Sequence, residues 1–395
     1  MNSSAPRRLI ILADQSANWK IGGLRQLDRL ALEANEFNQG GDYEILIFWK
    51  PTIPAKVRWR PHNSRLAAAR ISAVDQIDVL NPPDLVVNTR LLVSRGGLAE
   101  FVASVPAPAA EFSRDPTTLW GELNRLVETS LDRCDRGANW RRVPDESQIR
   151  DCERFLLRRT GKSYDGLVSR YLNRPFSRFV SRFLLHFPVT PNQWTVFILL
   201  FPAASCFFFS RGTYLGFVLG AACYQMHSIL DGCDGEIARI KYLDSKSGPG
   251  IDSLGDLIAL LLLVAGLSIG LFNSSTAAGH WIFLIEGIIA FILIAIRLGR
   301  NTQDLLARGM EAVRSSEHEE LLQESGNRFF GRTLYPIISA IARRDVIFVV
   351  FLLMALLGLA SWIMHFLFIY SVVAMLLLLK GRALRTARQT GPVLS

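Results

Sequence analysis

From about residue 192 to the end of the chain, apolar stretches long enough to cross a membrane follow one another, separated by polar loops. A hydrocarbon core of about 30 Å requires about 20 apolar residues in a helix, and lipid admits only helices or closed barrels. Up to about residue 160 the chain instead mixes charged, polar and short apolar runs. The sequence therefore predicts a soluble part followed by a helical membrane part.

Six of the apolar stretches are candidates for membrane-spanning helices. They cover about residues 193–210, 212–235, 252–273, 279–297, 346–360 and 362–380. Lys and Arg are concentrated after the second stretch, after the fourth and in the tail. Because positive charge stays on the cytosolic side, six spans with both termini in the cytosol fit this distribution. The N-terminus does not have the pattern of a cleaved secretory signal, so we predict an integral protein of the cytoplasmic membrane.

Residues 1–160 are predicted to form a cytosolic α/β domain. Short β-rich runs alternate there with helical stretches, which is typical of a largely parallel sheet covered by helices. The alternation runs through residues 9–13, 24–35, 43–49, 65–73, 84–88 and 98–103, and residues 112–160 are expected to be mostly helical.

Residues 161–190 are predicted to hold an amphipathic helix in the membrane interface, directly before an all-α membrane domain of six helices at residues 191–395. Arginines recur every four residues from Arg170 to Arg182, and aromatic and aliphatic residues fill the other faces. Such a basic amphipathic helix is typical of a membrane surface. An ordinary amphipathic surface helix is the alternative.

The net charge of +9 raises the question of nucleic-acid binding. Many of the basic residues flank the membrane segments instead of forming one stripe, as expected for contact with anionic headgroups. We therefore expect membrane lipids as partners and no nucleic acid. The five cysteines lack the spacing of a metal site and are expected to be free thiols.

Four aspartates lie in or beside two of the apolar stretches. An aspartate at the centre of a spanning helix costs roughly 2.5 to 3.5 kcal/mol, so four unpaired ones would cost on the order of 10 kcal/mol. Asp231 and Asp234 are three residues apart, and Asp252 and Asp256 are four apart, so each pair projects from one helical face. Four carboxylates without His or Cys suit Mg²⁺ or Mn²⁺. They also suit two ions about 3.5 to 4 Å apart that clamp phosphate oxygens.

The residues around these aspartates fit phosphate chemistry. Gly235 removes a side chain where a ligand would approach the backbone. Arg239 is placed to hold a phosphate, and Ser245 lies in the turn before Gly248, where its hydroxyl is free to donate. Helix-capping aspartates with structural glycines are the alternative interpretation.

These residues form the pattern Asp-x2-Asp-Gly-x2-Ala-Arg-x8-Gly-x3-Asp-x3-Asp. It is complete here as Asp231, Asp234, Gly235, Ala238, Arg239, Gly248, Asp252 and Asp256. With this pattern, about residues 164–390 resemble the CDP-alcohol phosphotransferases. The resemblance implies transfer of a substituted phosphate group from a CDP-alcohol, of the CDP-diacylglycerol or CDP-inositol type, to an acceptor alcohol, with release of CMP.

The resemblance also implies roles for individual residues. Asp231, Asp234 and Asp252 would be metal ligands for two divalent ions per site, and Asp256 would be the general base and a ligand of the second ion. The CDP moiety would be bound by Asn192, Gln193, Trp194, Thr195, Gly235, Ala238, Arg239, Ser245 and Gly248.

Members of this family differ in the acceptor, which is expected here to be inositol phosphate or another phosphorylated polyol. A phosphorylated acceptor requires a basic pocket, and the candidates are Arg178, Arg182, Arg297, Arg300 and Arg344. Simple anchoring at the membrane interface is an equal alternative for each of them.

The start of the chain is similar to that of sugar-phosphate nucleotidyltransferases, through residues 9–14 and 20–34. That family needs a glycine-rich basic loop and a metal-binding aspartate, whereas this chain has Asp14-Gln-Ser-Ala-Asn-Trp and, after a later strand, Asn88-Thr-Arg. We therefore expect a catalytically silent domain. Fusions of this kind occur among enzymes that use inositol phosphate, in which the soluble half makes CDP-inositol. A homodimer is expected, with the silent domain supporting oligomerisation or docking a partner.

Two other classes of function remain open from the sequence. One is a transporter-like membrane protein that passes cations through an acidic site. The other is a non-catalytic scaffold that has kept the acidic site.

Overall fold

The computed structural model of the chain describes two compact units. The described residues are 7–38, 43–58, 61, 64–66, 69–77, 84–105, 113–132, 139–161, 166–274, 280–308, 331 and 343–390. The first unit consists of residues 1–160 with 182–188 and 239–242, and the second of residues 161–181, 189–238 and 243–395.

The first unit is built on a four-stranded parallel sheet in the order β5-β4-β1-β6. Its strands are β1 (Arg7–Ala13), β4 (Tyr43–Trp49), β5 (Ile71–Val74) and β6 (Leu85–Asn88). Ile10 of β1 pairs with Leu46 on one side and Val86 on the other, and all three are buried. Near-continuous apolar strands of this kind belong to a parallel sheet covered on both faces. The predicted α/β class is confirmed.

Short elements and four helices complete the first unit. The helices are α1 (Gln26–Phe37), α2 (Leu98–Ser104), α3 (Pro116–Asp132) and α4 (Ile149–Arg159). Two antiparallel pairs join β2 (Lys20–Ile21) to β3 (Leu24–Arg25), and β7 (Leu91–Val93) to β8 (Trp140–Arg142). The prediction of a helix at residues 65–73, which follows from the alternation of strand and helix, is wrong. That stretch holds a 3-10 turn, Ser64–Leu66, and then enters β5, because Ile71 and Val74 pair along the edge of β4.

The short segment 239–242 belongs to the first unit through buried polar contacts. The guanidinium of Arg29 donates to the carbonyls of Ile240 (2.9 Å) and Ile21 (2.7 Å), and the Tyr242 hydroxyl donates to Glu33 (2.6 Å). Burial lowers the pKa of Arg29 and raises the pKa of Glu33 and of Tyr242. These groups are buried at the cost of desolvation, which their mutual hydrogen bonds offset.

The second unit is helical. Its helices are α5 (Arg174–Leu184, partly in the first unit), α6 (Pro191–Ile198), α7 (Leu200–Ser210), α8 (Tyr214–Leu230), α9 (Gly232–Lys241, with its end in the first unit), α10 (Gly248–Ser274), α11 (Trp281–Arg308), α12 (Arg344–Leu356) and α13 (Ala360–Thr390). A π-helical turn, Ser169–Asn173, leads into α5. Tyr171, Phe176, Phe179 and Phe183 are exposed along this segment.

Four helical segments in the described part of the chain are long and apolar enough to cross a membrane. They are Pro191–Ser210, Gly248–Ser274, Trp281–Ala307 and Ala360–Lys380. The other two predicted spans coincide with shorter helices. Helix α8 stops at a turn at Asp231, and α12 has 13 residues, which correspond to about 20 Å.

All six predicted spans nevertheless contribute to one apolar core. The helices α7, α8, α10, α11, α12 and α13 each contribute to this core. One buried residue from each, in that order, is Phe209, Phe217, Leu263, Ile294, Phe351 and Met364. Small residues bring the backbones close, as is usual in membrane helices. A Cβ on Gly270 of α10 would lie 1.9 Å from the carbonyl oxygen of Phe209. A buried carboxylate, Glu286 of α11, pairs with His365 of α13 at 2.8 Å.

Candidate active site

The four aspartates lie in helices α9 and α10 and in the turn directly before α9. Asp231 lies in the turn that separates α8 from α9, Asp234 lies in the first turn of α9, and Asp252 and Asp256 lie on successive turns of α10. The chain from Tyr242 to Ser247 connects the two helices, and the Gly248 amide closes the turn on the Ser245 carbonyl at 3.2 Å.

Three of the four carboxylates come together. One oxygen each of Asp231, Asp234 and Asp252 lies within 4.8 Å of the other two. Oxygens that share a Mg²⁺ ion at 2.0–2.1 Å are separated by at most about 4.2 Å, so small side-chain movements would bring this set to bonding distance. Hard oxygen donors in this arrangement fit Mg²⁺ or Mn²⁺.

Asp256 has a different partner. Its carboxylate forms an ion pair with the guanidinium of Arg344, the first residue of α12. Arg344 was a candidate for the acceptor phosphate on the sequence alone. In the structure, Arg344 instead contacts Asp256, the predicted general base, which lies one turn after Asp252 in α10.

Helix α6 borders this group of carboxylates. A capping box fixes its start, with Thr190 accepting from the Gln193 amide at 3.4 Å while the Gln193 side chain accepts from the Thr190 amide at 3.1 Å. The Trp194 indole donates to the Leu230 carbonyl at 3.0 Å, and the Thr195 hydroxyl donates to Asp234 at 2.8 Å. This segment therefore holds the residues next to Asp231 and orients Asp234 directly.

The other residues proposed for CDP lie along α9 and in the turn after it, except Asn192, which lies in the first turn of α6. Asn192, Gly235, Arg239, Ser245 and Gly248 are half-buried, and Ala238 is buried. A Cβ on Gly248 would lie 3.1 Å from the Ser245 hydroxyl.

Residues 188–316 match the CDP-alcohol phosphatidyltransferase family. They contain the complete aspartate pattern and the three carboxylates that converge. This part of the chain is a CDP-alcohol phosphatidyltransferase domain. The recognition made from the aspartate pattern is thereby confirmed.

Proteins described as bifunctional IPC transferase and DIPP synthase are similar to this chain. The one from Archaeoglobus fulgidus is 34% identical over 163 residues, which are 41% of this chain and 31% of the relative. The one from Rubrobacter xylanophilus is 31% identical over 232 residues, 53% of this chain and 52% of the relative. The one from Thermococcus kodakarensis is 39% identical over 132 residues, 32% of this chain and 29% of the relative. The chain thus spans about half the length of these relatives or less.

The five arginines predicted to bind an acceptor phosphate have different surroundings. Besides Arg344, which pairs with Asp256, Arg297 of α11 is buried and stacks over the Tyr370 ring at 5.2 Å. Arg300, one turn further along α11, is exposed, and Arg178 and Arg182 of α5 are half-buried. Within the described residues, an ion pair therefore holds Arg344 at the aspartates, and Arg297 lies on an aromatic ring.

In the first unit, polar groups meet at the carboxyl ends of β1 and β6. Chain order reverses between these strands, which is where open α/β sheets bind ligands. Asp14 accepts from the Ser16 amide (2.8 Å) and from the Thr89 hydroxyl (3.2 Å) and pairs with Arg90 (3.4 Å). Asp14 is therefore bonded to its own neighbours at this edge.

A buried network on the far side of α9 was not predicted from the sequence. Glu236 is fully buried and accepts from the Arg174 guanidinium (3.1 Å) and the Ser177 hydroxyl (2.9 Å) of α5. A signal was present, because Glu236 is a fifth carboxylate inside the aspartate pattern. Its spacing from Asp234 puts it on another face of the helix.

The cysteines agree with the expectation of free thiols wherever they are described. Cys152, Cys206, Cys223 and Cys233 are free, and Cys134 lies outside the described residues. In the first unit, burial raises the pKa of Cys152 to about 11.

Proposed function

We propose that this protein transfers a substituted phosphate group from a CDP-alcohol to the hydroxyl of an acceptor alcohol and releases CMP. The observation that carries the proposal is the convergence of Asp231, Asp234 and Asp252 within a domain that matches the CDP-alcohol phosphatidyltransferase family. Carboxylates at such spacing are suited to the charge of a diphosphate only through cations, and this is the arrangement that phosphoryl chemistry uses.

The donor and acceptor follow from the relatives. Because three relatives are described as IPC transferase and DIPP synthase, we propose a donor of the CDP-inositol type and inositol phosphate, or another phosphorylated polyol, as the acceptor. CDP-diacylglycerol is the other donor that belongs in the test. Arg344, Arg297, Arg300, Arg178 and Arg182 are the proposed contacts of the acceptor phosphate.

Two Mg²⁺ or Mn²⁺ ions are the proposed cofactors. Asp231, Asp234 and Asp252 would hold them together with Asp256 on the next turn of α10. When bound, the ions offset the charge of the diphosphate and of the departing CMP. The first three carboxylates support this assignment, since they offer hard oxygens and one oxygen of each lies within 4.8 Å of the others.

Asp256 is the proposed general base, which takes the proton of the acceptor hydroxyl. Its ion pair with Arg344 supports this role, because a guanidinium beside the carboxylate also suits an acceptor phosphate. We propose that the phosphate of the acceptor replaces the Asp256 carboxylate as the partner of Arg344. The base would then become available in the same step that positions the hydroxyl.

The CDP moiety is proposed to lie between α6, the start of α9 and the turn before α10. Asn192, Gly235, Ala238, Arg239, Ser245 and Gly248 remain proposed contacts of the nucleotide. Gln193, Trp194 and Thr195 are proposed to close the pocket. Their hydrogen bonds support a second task, which is to hold α6 and to orient Asp234.

We further propose six membrane spans with both termini in the cytosol, in a homodimer surrounded by lipid. The shared apolar core of α7, α8, α10, α11, α12 and α13 supports this number of spans. The exposed aromatic residues along residues 171–183 support a helix in the membrane interface. The proposed domains are residues 1–160, a silent nucleotidyltransferase-like domain, residues 161–190, the interface helix, and residues 191–395, the membrane domain.

The proposal is tested by CMP release from the full chain purified in detergent. CDP-inositol and CDP-diacylglycerol are each offered with phosphorylated and free alcohols, in Mg²⁺ or Mn²⁺ and in EDTA, and the product mass identifies the acceptor. We expect CMP with one donor and acceptor pair, and none in EDTA. Asp256→Asn should lower the rate about 10²–10⁴-fold, the usual contribution of a general base.

The matched control is Glu146→Gln, which removes an exposed carboxylate in the first unit and should leave the rate unchanged. Failure of every donor and acceptor pair to release CMP would refute the proposed function. Turnover by folded Asp256→Asn at the normal rate would instead show that Asp256 is not the base.

A further inference from the structure

Helix α9 has two faces with different partners. At about 100° per residue, Asp231 and Asp234 point to one side of the helix, and Gly232, Cys233 and Glu236 point to the opposite side, about 180° away. The first face meets Thr195 and Asp252. The second face packs against α5. The carboxylates of the candidate site are therefore carried by a helix whose back is held by another element.

The contacts on the back of α9 are close and polar. Glu236 is fully buried, and one of its oxygens accepts from both Arg174 (3.1 Å) and Ser177 (2.9 Å). The Cys233 thiol lies 3.4 Å from the Ser177 carbonyl, and a Cβ on Gly232 would lie 3.3 Å from the Arg174 guanidinium.

A charge pair that is this deeply buried is stable only in a narrow range of geometries. The side chains of Arg174 and Glu236 are 9% and 0% exposed. Taking two charges out of water is costly, and their attraction offsets the cost only when the geometry is good. A rotation of α9 about its own axis would separate the pair and leave a carboxylate in an apolar setting. The pair therefore resists that rotation.

The same rotation would disrupt the candidate metal site. Side chains lie about 5–6 Å from the axis of a helix, so a rotation of about 20° moves a carboxylate by about 2 Å. Metal–ligand distances tolerate only about 0.2 Å. An element that fixes the rotation of α9 consequently fixes where Asp231 and Asp234 stand relative to Asp252.

We infer that Glu236 is a positioning residue, which sets the rotation of α9 through Arg174 and Ser177 and thereby the divalent-metal affinity of the carboxylates on its other face. The inference rests on the proposed function, because it assigns Glu236 a part in the same site. Glu236 touches neither substrate nor metal. It acts through the helix that carries Asp234 and begins directly after Asp231.

The test is the binding of Mn²⁺ to the full chain in detergent, followed by the electron paramagnetic resonance signal of free Mn²⁺, alongside CMP release. Glu236→Gln keeps the size of the side chain and removes its charge. We expect Mn²⁺ to bind about 10–100-fold more weakly and kcat to fall by a similar factor, the range found when groups that orient metal ligands are changed. The KM for the acceptor should stay the same.

The matched control is Glu286→Gln. Glu286 is also a buried carboxylate in a pair, with His365, but on α11 and α13. Glu286→Gln should lower the unfolding temperature without changing the affinity for Mn²⁺. Folded Glu236→Gln that binds Mn²⁺ with normal affinity would overturn the inference, because a purely structural role changes stability alone.

Ser177→Ala keeps the test decisive if Glu236→Gln does not fold. This variant removes one hydrogen bond to Glu236 and leaves the ion pair of Glu236 with Arg174. The affinity for Mn²⁺ and kcat should therefore fall by less than in Glu236→Gln. Normal Mn²⁺ affinity in this variant would also overturn the inference. A wild-type chain that binds Mn²⁺ without releasing CMP would refute the proposed function, while the comparison of Mn²⁺ affinities would still decide the role of Glu236.

Discussion

Thr195 illustrates how a single side chain acquires a task that its position in the sequence does not reveal. The aspartate pattern and the resemblance put it with residues that contact CDP. In the structure it is buried, and its hydroxyl donates to Asp234 across 39 residues of sequence. A hydrogen bond to a charged carboxylate is worth about 1.5–3 kcal/mol, more than one between neutral groups. Thr195 therefore orients one of the three converging carboxylates.

Replacing Thr195 with valine should weaken the candidate site without changing its shape. Valine keeps the volume and loses the hydroxyl, so Asp234 loses a donor at 2.8 Å. We expect the metal-dependent rate of CMP release to fall about 10–100-fold, which corresponds to about 1.5–3 kcal/mol. Thr195→Ser, which keeps the hydroxyl, should retain most of the rate. Equal rates for the valine and serine variants would show that the hydroxyl has no role.

At the scale of elements, close helix packing depends on particular glycines. Helices α7 and α10 approach each other so closely that Gly270 has no room for a side chain, since a Cβ would lie 1.9 Å from the Phe209 carbonyl oxygen. A Cβ on Gly299 of α11 would have room, because its nearest neighbour would be the Leu257 side chain at 4.0 Å. The two glycines lie in similar helices but differ in what surrounds them.

Gly270→Ala should destabilise the second unit, and Gly299→Ala should not. Overpacking a tight contact costs about 1–3 kcal/mol, because the helices have to move apart. The measurement is the unfolding temperature of the purified chain in detergent. A fall of several degrees is expected for Gly270→Ala only. If both variants unfold at the wild-type temperature, α7 and α10 do not pack as closely as described.

At the scale of the whole molecule, two membrane topologies of the chain differ in the number of spans. Four helical segments in the described residues satisfy length and hydropathy, whereas the sequence predicts six. With six spans, the end of α10 lies outside the cell, whereas with only these four segments it lies in the cytosol, and Ser274, the last residue of α10, is exposed. The accessibility of position 274 to an impermeant reagent therefore distinguishes the two topologies.

We expect Ser274→Cys to react with a membrane-impermeant maleimide in intact cells, in a background from which the five native cysteines have been removed. Glu146→Cys, in the first unit, should react only after the membrane is opened. Labelling of Glu146→Cys in intact cells, or protection of Ser274→Cys, would contradict six spans with cytosolic termini.

The first unit is expected to lack nucleotidyltransferase activity. Its sheet edge between β1 and β6 has Asp14 bonded to Ser16, Thr89 and Arg90, with no basic glycine-rich loop in the sequence that follows β1. The full chain given CTP and inositol phosphate should therefore release no pyrophosphate, under conditions in which it releases CMP from a CDP-alcohol. Release of pyrophosphate at a comparable rate would show that the domain is active.

Much of this protein follows from local sequence. Near-continuous apolar runs give the parallel strands, and apolar stretches of membrane length give the long helices, because both depend on neighbours along the chain. The spacing of the four aspartates is also a local feature, and it predicts the candidate site and the resemblance to the family. At residues 71–74 this logic failed, since pairing with β4 decided between helix and strand.

Tertiary structure alone decided which of these groups meet. It brought three aspartates together and paired Asp256 with Arg344, 88 residues away. It also placed Glu236 against Arg174, 62 residues away, on the back of the helix that carries Asp234. Spacing within a helix fixes the face on which a side chain lies, but the partner on that face depends on how distant helices pack.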